Sequence, residues 1–360
     1  MSMKSSPAIQ AKDSNPVNVL IVDDSAFMRY TISKRINETP GLHVIATARD
    51  GKEALQMIAS LKPDVVTLDI EMPSMDGLST LRQIMARHPC PVIMVSCLTT
   101  EGARETVQAL TWGAVDFIAK PSNRANIDAI IEELVAKILR AAQMHLYPIP
   151  FSIRKVTHPI DQALKQTRRL EHEDKIVVIG ASTGGPRALN TVVPELPGDL
   201  QATVLIVQHM PVGFTRSLAD RLDSISKLTI KEAEPGDQLK VGRGLIAPGG
   251  FHMTLDSDGI INLNQNPPIH GVRPAIDVTM ASVAQHFGSS SVGVVLTGMG
   301  KDGTNGSALI HSSGGRVITE DETTCVVWGM PRSVMEAGIA DEIVPLPKVA
   351  EAITRAIRWN

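Results

Sequence analysis

The feature that most constrains the fold is an alternation of short apolar runs with amphipathic stretches, which occurs twice along the 360-residue chain. In the first half, apolar and β-branched runs are each followed by a stretch with helical periodicity. The runs are Val19–Val22, His43–Ala48, Val65–Leu68, Val92–Val95 and Ala114–Ile118. Repeats of this kind within about 125 residues predict a compact (βα)5 domain with a doubly wound parallel sheet.

A second α/β pattern starts at Lys175 and predicts another doubly wound parallel sheet, in a Rossmann-like three-layer α/β/α arrangement. The strand candidates are Lys175–Ile179, Thr203–Val207, Gly244–Ala247, Gly259–Leu263, Val292–Leu296, Arg316–Thr319 and Glu342–Val344. The helix candidates are Pro186–Val193, Gly213–Ser224, Ala275–Phe287, Asn305–Ser313, Pro331–Ala337 and Val349–Arg358. The two strands within residues 244–263 are close in sequence, which favours a hairpin between them.

Between the two patterns, residues 141–174 lose their periodicity and carry prolines among basic and polar residues. Unstructured loops of this length are uncommon inside one domain, so the segment is interpreted as an interdomain linker with one short helix at 162–170. The expected organisation is a disordered tail at 1–17, a domain at 18–140, the linker at 141–174 and a second domain at 175–360.

Composition narrows the classes of function. The chain has 35 Lys and Arg against 38 Asp and Glu, so charge gives no case for nucleic acid, and 3% aromatic residues argue against base stacking. Three cysteines without a CxxC pair favour a reducing compartment over disulfides or zinc. The N-terminus lacks the apolar core of a signal peptide, and no apolar run approaches the ~20 residues of a membrane span. We therefore expect a soluble, cytoplasmic protein without membrane insertion.

Acidic, hydroxyl and lysine side chains in the first half follow the predicted strands. Asp23 and Asp24 come after the first strand and Asp69 after the third, while Ser96 and Lys120 follow the fourth and fifth. Each aspartate alone is explained by a helix N-cap, but the ordered set meets at one edge of a parallel sheet. Carboxylates there suit Mg²⁺, and a lysine and a hydroxyl suit a phosphoryl group. The pattern predicts phosphoryl transfer to a carboxylate.

These residues lie in motifs that resemble the response-regulator receiver domain over residues 18–140. The motifs are VDDS at 22–25, LDIEMPSMDG at 68–77, VS at 95–96 and AKP at 119–121. The resemblance implies that Asp69 accepts phosphate from a histidine kinase of the chemotaxis type, and that Ser96 and Lys120 contact the phosphoryl group. It places the aromatic switch at Phe117. The implied Mg²⁺ ligands are Asp23, Asp24, Asp69 and the backbone carbonyl of Glu71.

A glycine-rich turn, GASTGG at 180–185, follows the first strand of the second half. Its G-x-S-x-G spacing is that of a nucleophile elbow, which presents Ser182 close to backbone N–H groups. For this turn alone, phosphate binding is an equally good interpretation. His209, at the end of the next strand, is placed to serve as a base. The carboxylates considered for orienting it are Asp277, Asp302 and Asp321, of which Asp302 alone lies in a glycine-rich loop after a strong strand.

The order serine, histidine, aspartate differs from that of α/β-hydrolases. The second half instead resembles the chemotaxis-type protein-glutamate methylesterases from residue 175 to the C-terminus. The matching stretches lie at 179–185, 208–211, 213–216, 246–249, 252–253, 273–274, 277–278, 296–303 and 329–332. The resemblance implies Ser182 as nucleophile, His209 as general base and Asp302 as its partner. The implied oxyanion donors are the N–H groups of Met299 and Thr183.

The family resemblance also implies the substrate and the regulation. The substrate would be the γ-methyl ester of glutamate on methyl-accepting chemoreceptors, hydrolysed without a cofactor and with release of methanol, and some members also deamidate receptor glutamines. An unphosphorylated receiver domain would cover the esterase crevice. The alternative is a phospho-regulated binding protein that competes for a kinase and has a weak or inactive esterase domain. The intact set of Ser182, His209 and Asp302 favours the enzyme.

Overall fold

The computed structural model describes residues 16–96, 99–120, 127–144, 167–169 and 174–358. Residues 1–15 of the expected tail, most of the expected linker and Cys97 lie outside this part of the chain. The described residues form two parallel-sheet α/β domains. The predicted fold class is therefore confirmed. No helix among these residues has the length and apolar character needed to cross a bilayer.

The N-terminal domain alternates strands and helices from β1 to α5. Its elements are β1 (Val17–Val22), α1 (Ala26–Asn37), β2 (Leu42–Ala48), α2 (Gly51–Leu61), β3 (Val65–Asp69), α3 (Gly77–Arg87), β4 (Val92–Ser96), α4 (Thr100–Thr111), β5 (Asp116–Ala119) and α5 (Ile127–Ala141). The parallel strand order is β2-β1-β3-β4-β5. Strand β1 begins inside the expected tail, because the Val17 amide donates to the Gly41 carbonyl at 2.9 Å.

The C-terminal domain is built on a seven-stranded sheet. Its elements are β6 (Arg168–Arg169), β7 (Lys175–Ala181), α6 (Gly185–Val192), β8 (Ala202–Gln208), α7 (Phe214–Ile225), β9 (Thr229–Glu232), β10 (Lys240–Val241), β11 (Arg243–Ile246), β12 (His252–Leu255), β13 (Ile261–Asn264), α8 (Ile276–Phe287), β14 (Ser291–Val295), α9 (Thr304–Ser312), β15 (Arg316–Glu320), α10 (Met330–Glu336), β16 (Glu342–Val344) and α11 (Val349–Ile357). The order β16-β15-β14-β7-β8-β11-β9 is parallel throughout.

Two local predictions are wrong. The strand at 243–246 does not form a hairpin with the strand at 261–264: β11 enters the parallel sheet between β8 and β9, while β13 pairs antiparallel with β12. The reason is burial, since the last three residues of β11 are buried and suit the inside of a sheet. The helix expected at 162–170 is contradicted at Arg168–Arg169, which form β6 and pair antiparallel with β10, while residues 162–166 and 170 lie outside the described part of the chain.

Helices cover both faces of the C-terminal sheet. The apolar sides of α6, α7 and α11 share one hydrophobic cluster with alternate residues of β7 and β8, and α8, α9 and α10 share another on the opposite face. The first cluster continues into the N-terminal domain, whose helix α4 lies against α6 and α7. At this contact, the ring centroids of Phe117 and Phe214 are 4.5 Å apart.

Strand β7 lies at the point where the order of the C-terminal sheet reverses. The chain moves from β7 to β8 on one side and later returns to β14 on the other side. In open α/β sheets, the crevice beyond the carboxyl ends of strands at such a point is the usual ligand site. The turn after β7 carries Ser182, which therefore lies at the switch point of the sheet.

Candidate active site

The loop after β14 holds Ser182 in place. The Ser182 amide donates to the Thr297 carbonyl at 3.0 Å, and the Thr297 hydroxyl donates to the Thr183 carbonyl at 3.0 Å. A Cβ atom on Gly298 would lie 2.7 Å from the Ser182 Cβ, so only glycine allows this close approach. The serine turn and the loop that carries Met299 are thus in direct contact.

Of the three carboxylates considered from the sequence, Asp302 is the one that meets the histidine. His209 Nε2 lies 2.8 Å from Asp302 Oδ2, and the two side chains are only 10% and 2% exposed. The same carboxylate accepts the backbone amides of Ile276 at 2.7 Å and Asp277 at 2.9 Å, at the start of α8. Burial alone would raise the Asp302 pKa, but the hydrogen bond and charge of His209 and these two amides hold the pKa below its usual value.

Asp277 makes the reciprocal contact. Its Oδ1 accepts the amides of Gly303 at 2.9 Å and Gly306 at 2.8 Å, which caps the start of α9, and its Oδ2 lies 3.1 Å from His270 Nε2. Burial, together with the nearby charge of Asp302, raises the Asp277 pKa. Asp302 therefore caps the helix that contains Asp277, and Asp277 caps the helix that follows Asp302. Asp277 supports the loop of Asp302 and does not contact His209.

The nucleophile and base are adjacent in the fold but are not joined through their side chains. Among the described residues, Ser182 Oγ makes no hydrogen bond to the His209 ring. The His209 amide donates to the Ala181 carbonyl at 3.2 Å, which aligns the end of β8 with the serine turn. Serine–histidine bonds of ligand-free hydrolases are often long and tighten when substrate binds.

The two predicted oxyanion donors belong to different segments of the crevice. Within the described residues, the amides of Thr183 and Met299 donate to no protein acceptor, and the Met299 residue is 49% exposed. Both N–H groups are thus available to a bound group. The Thr183 hydroxyl is engaged across the domain boundary, where it donates to Asp116 Oδ2 at 3.3 Å.

The sequence analysis missed two buried polar residues beneath the site. Gln208 ends β8, and its Nε2 donates to the Ser182 carbonyl at 2.9 Å. Glu320 ends β15, and its Oε2 accepts the Thr297 amide at 2.8 Å. Burial raises the Glu320 pKa to about 7. Both are polar residues at the carboxyl end of a predicted strand of the parallel sheet, and this signal was present in the sequence.

The predicted acidic cluster of the N-terminal domain is formed. Ligand oxygens of Asp23, Asp24 and Asp69 all lie within 4.8 Å of one another. Lys120 Nζ lies 2.6 Å from Asp69 Oδ2 and 3.5 Å from Asp23 Oδ2. Burial raises the Asp69 pKa to about 6, although Lys120 opposes the shift. The Glu71 amide donates to Asp69 Oδ1 at 3.3 Å, which places residue 71 beside the cluster.

This cluster suits a hard divalent cation. Asp23 Oδ2 is buried and accepts no hydrogen bond among the described residues, and its charged neighbour is Lys120 Nζ at 3.5 Å, so one ammonium faces the carboxylates of Asp23 and Asp69 and leaves room for a divalent cation to balance the remaining charge. The sequence analysis also missed Arg29, whose guanidinium donates to the carbonyls of Asp23 at 2.7 Å and Asp24 at 3.0 Å. Arg29 thereby fixes the backbone of the acidic turn.

Ser96 makes its contact within the N-terminal domain, whereas Phe117 packs against the other domain. Ser96 is buried, and its Oγ donates to the Gly102 carbonyl of α4 at 3.1 Å. Phe117 is 5% exposed and packs against Phe214 of the other domain. The predicted switch residue therefore lies at the contact between domains.

Comparisons with known proteins cover both domains. The family model described as CheB methylesterase matches residues 177–353, and the one described as response regulator receiver domain matches residues 19–132. A protein of Symbiobacterium thermophilum named protein-glutamate methylesterase/protein-glutamine glutaminase is 50% identical over 356 residues, covering 95% of this chain and 97% of that protein. A protein of the same name from Pyrococcus horikoshii is 48% identical over 347 residues, with coverage of 95% and 94%.

The C-terminal half is similar to a solved structure. It is the crystal structure of the Thermotoga maritima CheB methylesterase catalytic domain, which is 50% identical. The match covers 51% of this chain and 98% of that chain, with a TM-score of 0.50.

Proposed function

Because the chain belongs to the family of protein-glutamate methylesterases/protein-glutamine glutaminases, in which a receiver domain and a CheB methylesterase domain occur in one protein, we propose that it demethylates chemoreceptors under the control of phosphorylation. The substrate is the γ-methyl ester of a receptor glutamate, and the products are glutamate and methanol. The observation that carries the proposal is the 2.8 Å contact between His209 and Asp302 beside Ser182, at the switch point of the sheet.

In the first half-reaction, Ser182 Oγ attacks the ester carbonyl carbon while His209 takes the hydroxyl proton. The negative charge that develops on the carbonyl oxygen is stabilised by the N–H groups of Thr183 and Met299. The tetrahedral intermediate then expels the methoxy group, which leaves as methanol with the proton held by His209. The product is an acyl-enzyme on Ser182.

In the second half-reaction, water attacks the acyl carbon and gives its proton to His209. Collapse of the second intermediate returns that proton to Ser182 Oγ and releases the glutamic acid side chain, which loses its remaining proton to water. Asp302 orients the imidazole throughout and stabilises its protonated form. Because its pKa is held below the usual value, Asp302 is ionised at neutral pH as this role requires. A glutamine side chain would follow the same route with ammonia as the leaving group.

The N-terminal domain supplies the control. A histidine kinase is the phosphate donor, Asp69 is the acceptor, and Ser96 and Lys120 contact the phosphoryl oxygens. Asp23, Asp24, Asp69 and the carbonyl of Glu71 would hold Mg²⁺, which supplies positive charge for phosphoryl transfer. Support comes from the three carboxylates whose ligand oxygens lie within 4.8 Å of one another and from the short contact between Lys120 and Asp69.

Two contacts couple this domain to the esterase crevice. Asp116 on β5 accepts the Thr183 hydroxyl beside the serine, and the neighbouring Phe117 packs on Phe214 at the start of α7. The unphosphorylated domain therefore lies against the rim of the crevice and obstructs a helical receptor. Phosphorylation would move Ser96 and Phe117 and weaken this contact.

The test is methanol release from methylated receptor membranes by the full chain with Mg²⁺, with and without acetyl phosphate. We expect release that increases with the phosphodonor and that the Ser182→Ala variant lacks. A folded wild-type protein that binds receptors and kinase but releases no methanol would instead support the kinase-competing binding protein.

A further inference from the structure

A single buried side chain connects the backbone segments of Ser182 and His209. Gln208 is only 2% exposed at the end of β8. Its Nε2 donates to the Ser182 carbonyl at 2.9 Å and to the His209 carbonyl at 3.3 Å. A carboxamide nitrogen has two protons, so both are used. The two linked residues are the proposed nucleophile and base, and their side chains are not bonded to each other.

The other end of the same carboxamide has no partner. Gln208 Oε1 is buried and accepts no hydrogen bond among the described residues. An unsatisfied buried acceptor is unfavourable, and an apolar residue of similar size would avoid this loss. The opposite assignment of the amide would turn its oxygen towards two carbonyl oxygens, which is worse. A glutamine at this buried position is thus explained by the two hydrogen bonds that its nitrogen donates.

A glycine of the serine turn, Gly185, leaves the space that this carboxamide occupies. A Cβ atom on Gly185 would lie 2.0 Å from Gln208 Oε1, so any larger residue would displace the amide. The Gly185 amide donates to the Ser182 carbonyl at 2.7 Å, so that this carbonyl receives both Gly185 and Gln208. The last glycine of the GASTGG turn therefore makes room for Gln208.

From these contacts we propose that Gln208 is a positioning residue that sets the distance and angle between nucleophile and base. The inference rests on the proposed function, since it takes Ser182 and His209 in those roles. Without the bridging nitrogen, each backbone segment keeps its own strand but their relative placement is less restricted. Misplacement of about 1 Å reduces turnover by up to about 100-fold while substrate binding is little changed.

The experiment replaces Gln208 with methionine, which has a similar length and no N–H group. The full chain is assayed with Mg²⁺ and acetyl phosphate for two quantities. One is the rate at which a fluorophosphonate modifies Ser182, and the other is kcat and KM for methanol release. In Gln208→Met, we expect the modification rate and kcat to fall about 10–100-fold with KM within about twofold.

Thr203→Val is the matched control, because Thr203 lies at the other end of β8 and also uses a buried side chain to donate to a carbonyl, that of Lys240 at 2.7 Å. It should lower the thermal midpoint without lowering the modification rate. Gly185→Ala tests the same contacts while Gln208 is retained, because the added methyl group would displace the Gln208 carboxamide. It should slow modification like Gln208→Met, and the double variant should be no slower than the slower single variant.

The outcomes test the positioning role of Gln208 separately from the proposed function. If Gln208→Met or Gly185→Ala modifies at the wild-type rate, or if Thr203→Val slows modification as much at an equal loss of thermal midpoint, the positioning role is overturned. If Gln208→Met does not fold, Gly185→Ala decides the question in the same assays. If the wild-type Ser182 is not modified, the proposed function itself fails.

Discussion

Thr183 and Asp116 join the two domains at the edge of the proposed oxyanion site, where the Thr183 hydroxyl donates to Asp116 Oδ2 at 3.3 Å. On the receiver side, Asp116 is held by Lys137, whose Nζ lies 3.0 Å from Asp116 Oδ1. Burial alone would lower the Lys137 pKa, but Asp116 and Glu133 raise it above its usual value. The contact is therefore made by an aspartate that is itself fixed in place.

Asp116→Asn should raise the rate of methanol release in the absence of phosphodonor. The amide is a weaker acceptor for Thr183 and a poor partner for Lys137, so the closed arrangement loses stability. Losing one hydrogen bond of this kind corresponds to a gain of about 2–10-fold. The rate with acetyl phosphate should not change. Asp64→Asn is the control, since Asp64 accepts the Asn18 amide within the N-terminal domain. Equal basal rates in Asp116→Asn and wild type would contradict the coupling.

Asp302→Asn should reduce kcat by about 10³–10⁴-fold, because an amide neither stabilises protonated His209 nor maintains its orientation. Asp277→Asn should reduce it far less, since Asp277 caps α9 and does not contact His209. Both variants are compared in methanol release at matched folding, judged by circular dichroism. The opposite ranking would show that the wrong carboxylate has been assigned to the histidine.

Removal of the receiver domain should activate the enzyme. A fragment starting near residue 167, which retains β6 and its pairing with β10, should release methanol without phosphodonor. We expect it to be faster than the unphosphorylated full chain by roughly 5–150-fold if domain closure limits access. Asp69→Ala in the full chain should retain only the basal rate and ignore acetyl phosphate. A fragment no faster than the unphosphorylated full chain would exclude inhibition by the receiver domain.

Chelation of divalent cations should block the response to phosphodonor without affecting the basal rate of methanol release. EDTA should abolish the increase in methanol release caused by acetyl phosphate, because the proposed phosphorylation of Asp69 uses a divalent cation held by the neighbouring carboxylates. The basal rate should be unchanged, since the proposed ester chemistry uses only side chains and backbone N–H groups. Methanol release in four conditions, with and without EDTA and acetyl phosphate, checks this. Loss of the basal rate in EDTA would place a metal in the esterase site.

Glu320→Gln should change how stability depends on pH. The Glu320 pKa rises from 4.5 to about 7 on burial, so the folded state favours the protonated carboxyl. Its stabilising contribution is complete below about pH 4.5 and is lost as pH rises to about 7, at a cost of up to about 3 kcal/mol. The variant should therefore lose less stability than wild type between pH 5 and pH 8. Thermal midpoints at both pH values measure this, with Glu322→Gln as an exposed control. Parallel curves for wild type and Glu320→Gln would contradict the raised pKa.

The sequence predicted the parallel sheets well because their strands are long apolar runs. Strands β7, β8, β14 and β15 begin and end within two residues of the predicted positions. The strands β9, β10 and β12 were missed because they are two to four residues long and carry polar side chains. Such strands are stabilised by their neighbours in the sheet and not by their own composition.

The candidate site was predictable to the extent that it follows strand ends. Ser182, His209 and Asp302 follow β7, β8 and β14, and parallel topology brings those ends together. Their catalytic roles stay predictions. The contacts of Gln208 and Asp116 were not predictable, because they depend on the side-chain placement of residues far apart in sequence and, for Asp116, on how two domains meet.

The reciprocal capping of α8 and α9 has a consequence for how this enzyme tolerates mutation. Asp302 and Asp277 are aimed by the backbone amides of Ile276, Asp277, Gly303 and Gly306, and a backbone amide is present whatever side chain the residue carries. Substitutions along the outer faces of the two helices therefore leave the orientation of the Asp302 carboxylate intact. Gly306 is the exception and does not tolerate a larger residue. A Cβ atom there would lie 2.5 Å from the Met280 Cβ and push the two helices apart.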